Sequence, residues 1–189
     1  MKIRVTAPLT KEAARSLHAG DMVLLSGTVY TARDAAHRRM IETLDRGESL
    51  PIPMENTVLY YLGPSPARPG KVIGSAGPTT ASRMDQYAPR LMDLGLTGMI
   101  AKGKRNEAVR EAIMRNGAVY FAAVGGAGAL LSRHITQAEV VAYEDLGTEA
   151  IRKLTVEDLP VFVVMDSEGR DLYREAVEKF GAGQDSGRK

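Results

Sequence analysis

The sequence predicts an α/β fold, and three observations carry that prediction. β-Branched and aromatic runs alternate with Ala- and Arg-rich runs of helical spacing, which is the pattern of a sheet with packed helices. The 189 residues are 44% hydrophobic and 25% charged, the composition of a globular chain rather than a disordered or fibrous one. No fixed-period repeat and no linker-like stretch interrupts the chain, so residues 1–180 read as one domain and 181–189, small and polar, as a flexible tail.

Taken in order, residues 11–17 (KEAARSL) predict a short helix capped by Thr10, and Gly20-Asp21 turns the chain into a strand over 22–30. Residues 31–44 place Ala35, Ala36, Met40, Ile41 and Leu44 at helical spacing. Gly47, Pro51 and Pro53 mark a loop before a strand over 57–62, and the proline-rich 63–70 segment is a stiff loop. A strand–loop–helix rhythm follows: strand 71–76 with helix 81–94, strand 97–101 with helix 105–116, strand 118–124 with helix 127–134. Residues 140–143 and 161–165 predict further strands, the second reversing through 166–169 into 171–173.

Composition narrows the function classes. Twenty-five Lys and Arg against 23 Asp and Glu give a net charge of +2, with no block of like charge to serve as a nucleic-acid arm. There is no Trp and there are only three Phe, which argues against a base-stacking platform. Cysteine is absent, so thiolate nucleophiles and thiolate-held metals or clusters must come from elsewhere. No apolar stretch approaches the roughly 20 residues that span a bilayer, and the chain reads as cytoplasmic.

Three strand-to-helix junctions each offer a cation. In Gly74-Ser-Ala-Gly-Pro-Thr-Thr-Ala-Ser-Arg-Met-Asp85 a Gly-Pro turn enters a helix whose first turn holds Thr79, Thr80 and Arg83, a setting for a carboxylate or phosphate. A Thr N-cap with a surface Arg accounts for the same residues. In 31–39 (TARDAAHRR), Arg33 and His37 are four residues apart on one helical face, suited to gripping an anion and moving a proton; a structural histidine is the competing reading. Arg38 and Arg39 turn away from that face. Lys102 stands at a strand end beside Gly103, where open α/β sheets present ligand-facing groups. The glycines of Val124-Gly-Gly-Ala-Gly-Ala129 do not match G-x-G-x-x-G, and GxxxxGK[ST], HExxH and GxSxG are all absent. Arg33, Arg83 and Lys102 together suit a small dianion, at a site lacking its own electrophile or strong base.

The segments 26–39, Gly74–Asp85, Ile100-Ala-Lys-Gly-Lys104 and Ala123-Val-Gly-Gly-Ala127 resemble the beta subunit of two-subunit class I fumarate hydratase. They are also similar to the beta subunit of L(+)-tartrate dehydratase and to the C-terminal domain of single-chain class I fumarases. The resemblance runs from about residue 2 to 176, with the order RDxxH, GPTT, Arg-Met-Asp as its most specific part. It implies a swivelling β/β/α fold and a [4Fe–4S] cluster held by a cluster-bearing alpha subunit, not by this chain. It implies reversible hydration of fumarate to (S)-malate, in a homodimer or higher assembly with alpha. Position by position, it implies that Arg33, Arg83 and Lys102 bind substrate carboxylates, that Thr79 is the catalytic base with His37 competing for acid/base work, and that Thr80 and Gly77 shape the loop. Ala101 departs from the Gly many relatives carry there. Tyr60-Tyr-Leu-Gly-Pro64 and Gly74-Ser-Ala-Gly77 look more like the fumarase set than the tartrate dehydratase set. A non-catalytic assembly subunit is the reading from another functional class.

Overall fold

A computed structural model describes residues 2–123 and 128–181. Among these, the strands are β1 (Lys2–Ala7), β2 (Met22–Thr31), β3 (Val58–Tyr60), β4 (Gly98–Ala101), β5 (Val119–Ala123), β6 (Ile135–Ala142) and β7 (Ile151–Met165). The α-helices are α1 (Lys11–Arg15), α2 (Asp34–Asp45), α3 (Ala88–Asp93), α4 (Glu107–Asn116), α5 (Gly128–Leu131) and α6 (Leu172–Gly181). The mixed α/β architecture is the expected one. No helix among the described residues is long and apolar enough to cross a membrane.

Strands β2, β3, β4 and β5 run parallel to one another in that order. β7 runs antiparallel to both β5 and β2, so the ladder closes on itself. A strand has two flanks, and β2 spends one on β7; the other is shared by β1 along Met22–Gly27 and β3 along Tyr30–Thr31. β7 shares its second flank between β6 and β5 in the same manner. Among the described residues, closure leaves edges only at β1 and β6. β2 carries an irregularity between Leu25 and Gly27, where φ is +105° and a Cβ would collide with the Ala7 carbonyl; glycine is required there by both conformation and space.

Period-two alternation sorts the core into two layers. Val58, Tyr60, Ile100, Val119 and Phe121 join Val23, Leu25, Leu154 and Val161 inside the closed ladder. Their neighbours Leu59, Tyr61, Met99, Ala101 and Tyr120 face outward onto Ala36 and Met40 of α2, Leu91 and Met92 of α3, and Val109 and Ile113 of α4. The middle strands are therefore buried on both faces, which explains why they read as continuous apolar runs.

Local chemistry fixes several boundaries. Thr10 Oγ1 accepts the Ala13 N–H (3.2 Å) at the start of α1, as expected. Asn106 caps α4 through the Val109 N–H (3.0 Å), and Gly117 ends it in the left-handed region at φ 65°.

The differences from expectation have physical reasons. Residues 71–76 form no strand: the Ser75 N–H goes to Ser65 Oγ (2.8 Å) and the Ala76 N–H to the Gly128 carbonyl (3.1 Å), so loop partners replace a ladder. The helix expected over 81–94 is a four-residue 3-10 turn, Ala81–Met84, followed by α3 with Pro89 in its first turn. α2 begins at Asp34 rather than Thr31, because the buried Thr31 hydroxyl donates to the Ala150 carbonyl (3.3 Å) and accepts the Arg152 N–H (3.0 Å) at the end of β2. The strands expected at 140–143 and 161–165 are parts of the longer β6 and β7. The reversal through 166–169 closes as one Met165–Asp171 bridge, after which α6 starts. β1 stands where no element was expected, and α6 takes residues 172–173 from the expected return strand and continues where no element was expected. Of the glycine run, Val124–Ala127 lies outside the described residues, as does the tail from residue 182.

Candidate active site

The parallel strands β2, β3 and β4 end together, and their carboxyl ends are where an open α/β sheet leaves backbone and side chains free to meet a ligand. Lys102 directly follows β4, Arg33 follows β2 by two residues, and Gly63 follows β3 by three. The loop carrying Gly77, Thr79 and Thr80 crosses this edge. The Thr79 N–H donates to the Tyr61 carbonyl (2.7 Å), the Lys102 N–H to the Thr79 carbonyl (3.2 Å) and the Ala81 N–H to the Lys102 carbonyl (2.8 Å). Thr80 and Lys102 thus form a parallel bridge, and main-chain bonds hold Thr79, Thr80 and Lys102 side by side. The expected Thr cap is not formed: Thr80 precedes the 3-10 turn with no side-chain bond to it. A turn of four residues has no useful dipole, so anion binding here rests on side chains.

Lys102 is exposed, but its loop is held. Gly103, at φ +89°, donates its N–H to the Tyr173 hydroxyl (3.2 Å) and accepts from the Tyr120 hydroxyl (2.8 Å). Gly77 is exposed and packs near the backbone of Gly128 at the start of α5.

Arg33 and Arg83 meet across a single carboxylate. Asp34 Oδ1 lies 2.8 Å from Arg83 Nε, and its Oδ2 lies 3.6 Å from Arg33 Nη2. Glu149 Oε1 lies 3.6 Å from Arg33 Nε. Arg33 is partly buried and Arg83 more exposed, with side-chain exposures of 24% and 53%. The Arg33 side chain runs over Gly63, where a Cβ would stand 2.8 Å from its Cδ and Nη1. The arginine group and the Thr79–Lys102 group share one frame: the Ala32 N–H donates to the Tyr60 carbonyl (3.1 Å) and the Thr79 N–H to the Tyr61 carbonyl, successive residues of one segment.

His37 is not on that edge. Its ring is fully buried, edge-on to Tyr61 (centroids 5.0 Å apart) and tilted against Tyr87 (6.0 Å). Nδ1–H donates to the Arg33 carbonyl (2.8 Å), which fixes the tautomer, and Nε2 has no hydrogen-bond partner. Burial pushes its pKa from 6.5 down to about 4, and the nearby Arg105 charge adds to the lowering, so the ring is neutral at physiological pH. Arg33 and His37 therefore do not present a cation and a proton carrier to one ligand; the histidine holds the backbone from which Arg33 projects.

Beneath the edge, Asp85 of the Arg-Met-Asp motif pairs with Arg105 (2.6 Å), both buried. The Asp85 carboxylate also accepts the Asn106 N–H (2.7 Å), and the Arg105 guanidinium lies 5.4 Å from the Tyr61 ring centroid and 5.1 Å from that of Tyr120. Arg39, expected to face outward, grips Asp145 through two 2.7 Å bonds. Sequence reasoning gave no role to Asp34, Gly63, Asp85, Arg105 or Glu149. Asp34 and Asp85 lay inside the quoted motifs, and Glu149 lies inside Leu146–Lys153, a segment through which the family resemblance continues.

The edge is open. A cavity of about 480 Å³ lies between the proline-rich loop and β6, lined by Pro64, Pro66, Val140 and Arg152, and no candidate site residue lines it. The chain contains no cysteine, and among the described residues no three His, Asp or Glu side chains converge as metal ligands. These residues do not fit the holder of an iron–sulfur cluster. What the edge offers is a set of cations and hydroxyls for a small dianion.

A family model described as the fumarase C-terminus matches residues 1–176. Fumarate hydratase 2 of Leishmania major is 37% identical over 94% of this chain and 32% of its own length. The anaerobic class I fumarate hydratase of Escherichia coli is 41% identical over 82% of this chain and 29% of its own length. The putative L(+)-tartrate dehydratase subunit beta of Methanocaldococcus jannaschii is 35% identical over 90% of this chain and 91% of its own length. Both names denote hydro-lyases. This chain spans about a third or less of the fumarate hydratases and nearly all of the tartrate dehydratase subunit. With the match covering almost its whole length, the chain belongs to the fumarase C-terminus family.

Proposed function

We propose that this chain is the beta subunit of a hydro-lyase that hydrates fumarate reversibly to (S)-malate, and that it supplies the carboxylate-binding half of a site completed by a cluster-bearing alpha subunit. The observation that carries this reading is the pairing of Arg33 and Arg83 through Asp34 at the edge where Lys102 and Thr79 are fixed by backbone bonds. In it, the [4Fe–4S] cluster belongs to alpha, in keeping with the cysteine-free sequence, the fold is of the swivelling β/β/α type, and the cytoplasmic complex is a homodimer or higher assembly of both chains.

Arg33 and Arg83 hold one carboxylate and Lys102 the other, so the dicarboxylate lies across the edge with its reacting carbons beside Thr79. Binding converts the encounter into a positioned one, and positioning is this chain's main contribution. Thr79 has both backbone groups committed, which leaves its hydroxyl aimed by the main chain. As a base it takes the proton from the carbon next to the hydroxyl-bearing carbon of malate. An unaided Thr hydroxyl is too weakly acidic for this, so a carboxylate of alpha activates it. Thr80 and Gly77 shape the loop, and His37 is a positioning residue for Arg33.

L(+)-tartrate as substrate is the second reading, favoured by the nearly full-length match to the tartrate dehydratase subunit. Substitution separates both from a mere assembly role. R83A in the assembled complex removes a charge partner of the substrate, and we expect a loss of about 2–4 kcal/mol in transition-state stabilisation, with T79A lowering kcat. Wild-type rates in both variants, with assembly intact, would leave only the assembly role.

A further inference from the structure

We infer that Glu149 is the residue that positions Arg33 for its ligand. The inference rests on the reading of Arg33 as a substrate-carboxylate partner. Glu149 ends the 3-10 segment Glu144–Glu149 that connects β6 to β7. That connection is pinned to the end of β2, because the next residue, Ala150, accepts the Thr31 hydroxyl, and the Thr31 oxygen accepts the Arg152 N–H. A carboxylate far away in sequence is thus tied to a point two residues before Arg33.

From there Glu149 Oε1 does two things. It accepts the Ala35 N–H (3.5 Å) in the first turn of α2, and it faces Arg33 Nε at 3.6 Å. The second distance matters. At 3.6 Å the charges attract, but no hydrogen bond forms, and Arg33 Nε is buried without a hydrogen-bond partner. Asp34 Oδ2 stands off Arg33 Nη2 at the same 3.6 Å and also lacks a hydrogen-bond partner. Arg33 is therefore steered by two carboxylates and bound tightly by neither. His37 fixes its carbonyl and Gly63 leaves room for its side chain. The guanidinium is aimed from its buried Nε side while, among the described residues, no hydrogen bond takes Nη1 or Nη2, which is what a bidentate carboxylate ligand requires.

The test is a pair of conservative variants in the assembled complex. E149D keeps the net charge and withdraws the carboxylate by one methylene; E149Q keeps the reach and an acceptor oxygen. We expect E149Q, which removes the attraction, to raise KM for the dicarboxylate about tenfold, with kcat and the melting temperature nearly unchanged, and E149D, which keeps the charge, to recover KM to within about threefold. An unchanged KM in E149Q, or a KM in E149D as high as in E149Q, overturns the inference. A complex of unsubstituted chains that turns over neither malate nor tartrate would refute the functional reading instead. Glu149 is then decided by hydrogen exchange at Arg33 Nε in the ¹⁵N-labelled full chain: slow exchange that is lost in E149Q supports its role, and equal exchange in both refutes it.

Discussion

Acidification from pH 7 to pH 5 removes stability through His37. The imidazole is buried, its Nδ1–H is spent on the Arg33 carbonyl, and its Nε2 has nothing to share a proton with. Burial is the main cause of its low pKa, about 4 instead of 6.5, and the Arg33 carbonyl and Asp34 offset it only in part. Between those two values the unfolded chain binds a proton that the native chain refuses. Stability is therefore complete above 6.5 and falls as the pH drops, until the native ring also protonates near 4. The whole window is worth about 3 kcal/mol and the step from pH 7 to pH 5 about 2 kcal/mol. Urea unfolding at both pH values, for the unsubstituted chain and for H37N, isolates this contribution, since the two chains share every other titrating group. We expect the unsubstituted chain to lose about 2 kcal/mol more than H37N. Equal losses in the two chains would refute the assignment of a neutral, proton-refusing His37.

Two other substitutions separate folding from binding. D85N leaves the Arg105 guanidinium buried without its counter-charge, and urea titration should register a loss of about 3–5 kcal/mol; an unchanged midpoint would mean that the pair is not needed. G63A places a methyl where Arg33 now runs, and because the obstructing atoms belong to a long side chain, the fold adapts while Arg33 is displaced. The melting temperature should stay within a few degrees while KM for the dicarboxylate rises about tenfold, whereas unchanged KM would show that Arg33 does not bind substrate where it now lies.

The parts of the fold legible in the sequence are those whose signals are local. β4 and β5 read as strands because both their faces are buried, β2 because buried residues alternate with half-buried ones along it, and α4 because Asn106 and Gly117 mark its ends. Closure of the ladder was not legible, since β7 pairs with β2 across more than a hundred residues and its first half carries Arg, Lys, Glu and Asp on its exposed and half-buried positions. β1 was missed although Ile3, Val5 and Ala7 alternate with polar residues, a weak signal at a chain start. Residues 71–76 misled because the Ser75 and Ala76 N–H groups go to Ser65 Oγ and the Gly128 carbonyl instead of to a neighbouring strand.

At the site, Arg33 and Lys102 were legible as polar groups placed just after strands, and Thr79, Thr80 and Arg83 from the Gly-Pro turn before them although the strand expected ahead of that turn does not form; the structure brings them to one edge in one hydrogen-bonded and one ion-paired group. His37 was legible as a motif residue but not as a buried one, because the Tyr61 and Tyr87 rings that enclose it come from other segments. Glu149 and Arg105 act through partners that only the fold supplies.

The most direct test of the account is anaerobic turnover of this chain co-purified with a cluster-bearing alpha subunit, following fumarate absorbance with malate as substrate and then assaying L-tartrate. The account predicts malate-to-fumarate turnover that requires both chains and is lost in R83A. A stable complex with an intact cluster that turns over neither substrate would contradict it.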